Sequence, residues 1–266
     1  MSSEISSNFP GPQENTNDVR LALKTWVEVD EYLKDCKAII FPIGSIEQHG
    51  PTGAIGTDAM TAEAIALEVG RRTGVLVAPA QVFGMAEHHL GFPGTMSLKP
   101  STLLDVIHDL VLSLASHGFE KIFLINGHGG NISTVKAAFM QAYSAAESRR
   151  LPFASRFQCK IVNWFMAPSV VAIARELYGD REGQHATPSE IALTLFLEPS
   201  LQGKQRLLPE PAPSGPINSS EDFRLRYPDG RMGSDPFLAR SDHGAALLRQ
   251  AAKALSEDLS NFLQKS

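Results

Sequence analysis

The stretch "SHGFEKIFLINGHGGN", residues 116–131, constrains the fold more than any other part of the chain. It reads as a helix end, a tight turn at Gly118, a short apolar run and a glycine-rich loop that opens another helix. The run 121–127 is apolar at consecutive positions, so both of its faces are covered. Similar runs occur at "AIIFPIG" (38–44), "VLVAPA" (75–80) and "CKIVNWF" (159–165). Helical patterns lie between them. Residues 59–71 follow Asp58, and residues 101–117 begin after Pro100. In the latter, Leu103, Leu104, Ile107, Leu110, Val111 and Leu114 form one stripe. Residues 132–149 are rich in alanine, and an amphipathic segment runs from His243 to the end. Strand alternating with helix predicts an α/β fold, a three-layer α/β/α sandwich around a mostly parallel sheet.

The chain has 266 residues and 43 % hydrophobic side chains, enough for one large core. Residues 198–242 carry many prolines, Ser-Ser and Pro-Asp-Gly, and read as loops serving as a lid or an oligomer contact. They hold too few apolar residues for a second core, so 19–266 is expected to be a single domain. Residues 1–18 are polar and read as a flexible tail, with neither the basic nor the apolar region of a signal peptide. No apolar run approaches the roughly 20 residues of a membrane span. A net charge of −5 argues against nucleic acid as the main partner. Cys36 and Cys159 lack metal-site spacing and read as reduced thiols, so a cytoplasmic protein is expected.

In open α/β sheets, sites form beyond the carboxyl ends of the strands. Just past the run 38–44, "GSIEQHGPTGAIGTD" (44–58) sets Glu47, His49 and Asp58 among four glycines and a proline. Just past the run 121–126 stands His128. Glu47 and His49 are two apart and point to one side of an extended segment. The glycines allow the turn that brings Asp58 back to them. If the two runs pair, these four potential metal ligands converge. Taken singly they have plainer readings: Asp58 as a helix N-cap, Glu47 as a solvated loop residue, His49 and His128 as turn residues. The loop "NGHGGN" is a weak phosphate signal, because it lacks the Gly-Lys-Ser/Thr ending.

A second cluster, "GQHATPSE", holds His185 and Glu190. Thr187 and Glu190 have capping-box spacing, so Glu190 either caps a helix or turns toward metal. His185 is free to project. In "GMAEHHLGFPGTMSL", His88 and His89 either contact metal or substrate or pack the loop. His108, His117 and His243 lie in or beside helices and receive no catalytic role.

Together, "GSIEQHGP…TD", "GFPGTMSL", "NGHGGN" and "HATPSE" resemble the creatininase (creatinine amidohydrolase) family over residues 20–250. The resemblance implies two divalent ions per chain, zinc or manganese with iron as an alternative, and ring-shaped homo-oligomers, often hexamers. Glu47, His49, Asp58 and His128 stand at the family's ligand positions. Asp58 would bridge the ions, with Glu47 and His128 completing one site and His49 the other. Creatininase itself has a glutamate where this chain has Gly130, which leaves Glu190 as the substitute ligand. His185 matches the active-site histidine. Trp164 lies near one of two substrate-enclosing tryptophans, while "GDREGQH" replaces the other. The implied activity is hydrolysis of a cyclic amide or formamide, with His185 donating a proton to the leaving nitrogen. The amides of Gly129 and Gly130 would stabilise the oxyanion, and His89 would contact the small-molecule amide substrate. Other members act as lactonases or peptidases. A different class of function, a non-catalytic anion-binding protein using the glycine loop, predicts no bound metal.

Overall fold

A computed structural model describes residues 18–264. The expected N-terminal tail lies, apart from Asp18, outside the described residues. The elements are α1 (Trp26–Asp35), β1 (Ala38–Ile43), α2 (Thr57–Thr73), β2 (Leu76–Val77), α3 (Pro100–Ser116) and β3 (Lys121–Asn126). Then follow α4 (Asn131–Ser148), β4 (Gln158–Asn163), α5 (Pro168–Tyr178), α6 (Pro188–Leu197), α7 (Ser220–Arg226) and α8 (Ser241–Gln264).

The four strands are all parallel, in the order β2-β1-β3-β4. Successive side chains of a strand point to opposite faces, and here both faces are apolar. Ile40, Phe123 and Ile125 pack with α2, α6 and α8 through Ile65, Leu193 and Leu247. Ile39, Phe41, Ile122 and Leu124 pack with α3 and α4 through Leu103, Ile107 and Phe139. The three-layer α/β/α expectation is met. No helix among the described residues is long and apolar enough to cross a membrane.

Three local expectations change. The run 75–80 forms a ladder only at Leu76–Val77, because Pro79 has no N–H to continue it. The helices α1 and α5 carried signals that the apolar pattern hid: the Thr25–Glu28 capping box, and Pro168 at a first turn with Gly179 past the end. Within 198–242, the Ser-Ser read as loop is the start of α7, where Ser219 accepts from the Asp222 N–H at 3.1 Å. From that helix Phe223 is fully buried against Phe92, Tyr227 and Met232, so the segment packs a small apolar cluster onto the loop that carries Phe92.

Candidate metal centre

The sheet register aligns Ile43, Asn126 and Asn163 at one edge. The candidate ligands leave from there. After β1 the chain makes a compact loop, held by Glu47 N–H to Ile55 O at 2.9 Å and Gly53 N–H to His49 O at 3.1 Å. Gly50 turns it with φ of 65°, a conformation that favours glycine. The loop runs into α2, whose N-cap is Gly56, so the reading of Asp58 as an N-cap is corrected. Asp58 sits in the first helical turn and its side chain faces the ligands instead. Gly44 and Gly127 bring it there by close approach. A Cβ on either would overlap the backbone of Asp58–Ala59.

Two asparagines set the second loop. The Asn126 amide N–H donates to His128 O at 2.6 Å and to Asn163 Oδ1 at 2.8 Å, and its Oδ1 accepts from His128 N–H at 3.2 Å. Asn131 donates to Gly44 O at 2.9 Å and accepts from Met85 N–H at 2.9 Å. Loops after β1, β2 and β3 are thus tied at a single side chain. Sequence reading assigned neither asparagine a role. Their only signal was that they flank "GHGG" at a predicted strand end.

Two three-residue groups result, the buried Glu47–Asp58–His128 and His49–Asp58–Glu190, in which Glu190 is half-buried, each with its ligand atoms within 4.8 Å of one another. His49 Nε2 lies 3.1 Å from Asp58 Oδ1. His128 Nδ1 lies 3.0 Å from Glu47 Oε2 and 3.3 Å from Asp58 Oδ2. Main-chain carbonyls orient both rings. His49 Nδ1–H donates to Glu47 O at 3.1 Å, and His128 Nε2–H donates to Met85 O at 2.9 Å. In the neutral rings the remaining nitrogens are bare, and they face carboxylates. Acceptor facing acceptor is unfavourable in a buried site unless a cation lies between. Both oxygens of Glu47, Asp58 Oδ2 and His49 Nε2 are buried without a hydrogen bond. This donor set, imidazole and carboxylate without thiolate, suits zinc or manganese.

Without an ion, protons serve instead. Burial favours the neutral His49 ring, but Asp58 outweighs it and raises the pKa to about 10. Burial likewise opposes charge on His128, and Glu47 and Asp58 still hold it well above its usual range. At pH 7 both rings are therefore protonated in the metal-free protein, and metal uptake must expel both protons. Affinity will rise with pH, by up to about 100-fold per unit for two released protons. Calorimetry in buffers of different ionisation enthalpy measures this. A metal-binding heat that does not vary with the buffer would refute it.

Glu190 meets both of its open readings. One oxygen accepts from Thr187 N–H at 3.0 Å and Thr187 O–H at 2.9 Å, closing the capping box of α6. The same carboxylate belongs to the group with His49 and Asp58. Burial raises its pKa to about 7. Glu190→Gln keeps an acceptor for Thr187 but replaces the anion. It is expected to lose one ion per chain while, with both proteins metal-free, melting within the about 1 kcal/mol that a cap contributes. Thr187→Ala is expected to do the reverse, and metal analysis with thermal melts separates the two.

His185, Glu47, Glu190, Gly129 and Gly130 line a cavity of about 970 Å³, with His89 in its wall. His185 Nδ1 is 3.8 Å from Glu47 Oε1, and burial together with the His49 charge keeps the ring neutral. His89 Nε2 lies 3.3 Å from the same oxygen. Its ring stacks on His185 at 4.3 Å between centroids and meets Phe223 edge-on at 4.6 Å. A Cβ on Gly130 would overlap the His128 ring, so a side chain there would displace His128. Trp164 stands apart from the rest: it is fully buried in the core, and its neighbour Phe165 lines the cavity. His108, His117 and His243 do not line it.

The chain is similar to known proteins in sequence and fold. The creatinine amidohydrolase of Pseudomonas putida is 27 % identical over 205 residues, which is 72 % of this chain and 76 % of that one. The 3-dehydro-scyllo-inosose hydrolase of Thermotoga maritima is 35 % identical over 117 residues, 44 % of this chain and 38 % of its own length. The match thus spans well under half of that relative. A solved mutant creatininase of Zn-Zn type superposes with a TM-score of 0.82 at 24 % identity, covering 93 % of this chain and 99 % of that one. Residues 22–259 match the family model described as "Creatininase: Creatinine amidohydrolase", and the chain belongs to the creatininase family.

Proposed function

We propose that the protein is a hydrolase that uses two divalent ions, zinc or manganese, to open the C–N bond of a cyclic amide or formamide. The observation that carries this reading is the pair of imidazole nitrogens, His49 Nε2 and His128 Nδ1, that face the buried carboxylates of Glu47 and Asp58 while the second nitrogen of each ring is committed to a main-chain carbonyl. Glu47, Asp58 and His128 would hold one ion, and His49, Asp58 and Glu190 the other, with Asp58 common to both. When bound, such ions act as Lewis acids and bring water toward ionisation near neutral pH.

The chain's own groups supply the remainder. His185 starts neutral, and its Nδ1 faces the centre. It takes a proton as water adds to the carbonyl carbon, then returns that proton to the nitrogen as the C–N bond breaks. The amides of Gly129 and Gly130, in the loop just before α4, lie at the cavity wall and can donate to the developing oxyanion. His89 and Phe223 buttress the His185 ring.

The size of the cavity favours a second substrate class. A volume of about 970 Å³ is near the upper end for small-molecule pockets. With Trp164 in the core rather than in the cavity wall, the site suits a substrate larger than one small ring, such as a sugar-like ring or a peptide. A screen of the metal-loaded protein on cyclic imides, formamides, lactones and short peptides tests the substrate. Chelation followed by metal restoration tests the chemistry. Activity is expected to vanish and return, and turnover that survives full metal removal would sink the reading.

A further inference from the structure

Beside the two proposed ion positions lies a third group with the same spacing: Glu47, His89 and His185, again with ligand atoms within 4.8 Å. It shares Glu47 with its neighbour and holds the proposed proton carrier. An ion there would occupy His185 Nδ1 and stop proton transfer. Gln48, buried between the two rings, decides whether that happens.

The orientation of the Gln48 amide is fixed twice. Its Oε1 accepts from Gly50 N–H at 2.8 Å, and its Nε2 donates to Gly230 O at 3.1 Å. A main-chain N–H can only donate and a carbonyl can only accept, so the amide cannot be flipped. Gly230, with φ of 88°, lets its backbone come this close, since a Cβ there would overlap the Gln48 amide. Two obligate acceptors surround Gln48 Nε2 and His185 Nε2: Gly230 O, and the Gln48 carbonyl at 2.8 Å from His185 Nε2. His185 Nε2–H serves the Gln48 carbonyl, which leaves its Nδ1 bare. One Gln48 amide hydrogen serves Gly230. Gln48 Nε2 lies 2.9 Å from both His185 Nε2 and His89 Nδ1; because His185 Nε2 carries the hydrogen it gives to the Gln48 main-chain carbonyl, only His89 Nδ1 can accept the second amide hydrogen.

His89 Nδ1 is therefore an acceptor, and its ring hydrogen sits on Nε2, directed at Glu47 Oε1. This is the reverse of His49 and His128, whose second nitrogens donate to carbonyls, so that each neutral ring offers its facing nitrogen to an ion. To bind an ion at Nε2, His89 would have to move its hydrogen to Nδ1, where the Gln48 amide hydrogen already points, so the third group is one donor short. We infer that Gln48 is a positioning residue that fixes the His89 tautomer, denies the Glu47–His89–His185 group an ion and keeps His185 free to move protons. This rests on the two-metal reading above.

The test uses the full chain, labelled with 15N-histidine and loaded with zinc. Long-range proton–nitrogen spectra, with His89 assigned by comparison with His89→Gln, are expected to show hydrogen on Nε2 and a bare Nδ1. Zinc content is expected to stay at about two per chain in excess metal. Gln48→Glu puts an acceptor where the amide donor stood. His89 is then expected to move its hydrogen to Nδ1, and the count under excess zinc to rise to about three. Hydrogen on His89 Nδ1 in the wild type overturns the inference, as does a third zinc there. So does a folded Gln48→Glu protein that holds only the wild-type count. If that variant fails to fold, the wild-type spectrum and count decide alone. A wild type that binds no zinc defeats the proposed function instead, which separates the two failures.

Discussion

Asp58→Asn is expected to fold normally and to lose both ions. The substitution preserves shape, and Asp58 does not cap α2, so the helix has no reason to melt. Its carboxylate, however, is the one shared by the Glu47–His128 and His49–Glu190 groups, 3.1 Å from one imidazole and 3.3 Å from the other. A neutral amide turns a hydrogen-bond donor toward one of those groups. Outer partners of metal ligands already contribute about 10–100-fold in affinity, and a shared ligand should exceed that. Metal analysis beside a thermal melt reads both effects. Two ions per chain retained in a folded Asp58→Asn protein would show that the carboxylate is not shared.

Gly127→Ala and Gly44→Ala carry the second large effect. Neither glycine needs an unusual backbone conformation, since positive φ values occur elsewhere. Both are required because α2 begins against them. An alanine methyl at 127 would overlap Asp58 O, and one at 44 would overlap the Ala59 backbone. These contacts are backbone on both sides, so no rotamer change relieves them. Overpacking of this kind costs about 1–3 kcal/mol or more. Here the relief route is to slide the start of α2, and with it Asp58, away from His128. Both variants are expected to melt lower and also to bind metal more weakly, although neither changes a ligand. A variant that melts lower but binds zinc with wild-type affinity would show that α2 can move without Asp58.

The sequence made the sheet legible because its strands are buried on both faces. "KIFLIN" and "AIIFPI" have few other uses, and their glycine exits mark the edge where sites form. Glu47, His49, Asp58 and His128 could be gathered from that edge alone once β1 and β3 paired. Glu190 was ambiguous because its capping spacing looks the same whether or not the carboxylate also faces a ligand group. Asn126, Asn131 and Gln48 were illegible. Their effect depends on which carbonyls and ring nitrogens surround an amide, and that is set by loops far apart in the chain. Trp164 shows the converse: a position near a functional one carries little information, because a one-residue change along the chain exchanges a core-facing side chain for Phe165 at the cavity wall.

The proposed ligands come from places remote from one another in the chain: the loop after β1, the start of α2, the loop after β3 and the start of α6. Two ions with Asp58 in common would in effect crosslink residues 47 and 190, a link made without sulfur. Such a link has no counterpart in the unfolded chain, so its binding energy is folding energy. At about 100 times the dissociation constant it adds about 2.7 kcal/mol. In its absence the same enclosure holds three carboxylates close together, Glu47, Asp58 and Glu190. Chelation should therefore loosen more than the chemistry. It should free α6 from the start of α2, and protease nicking near residues 182–187 would be an early sign of a chain that has lost its metal.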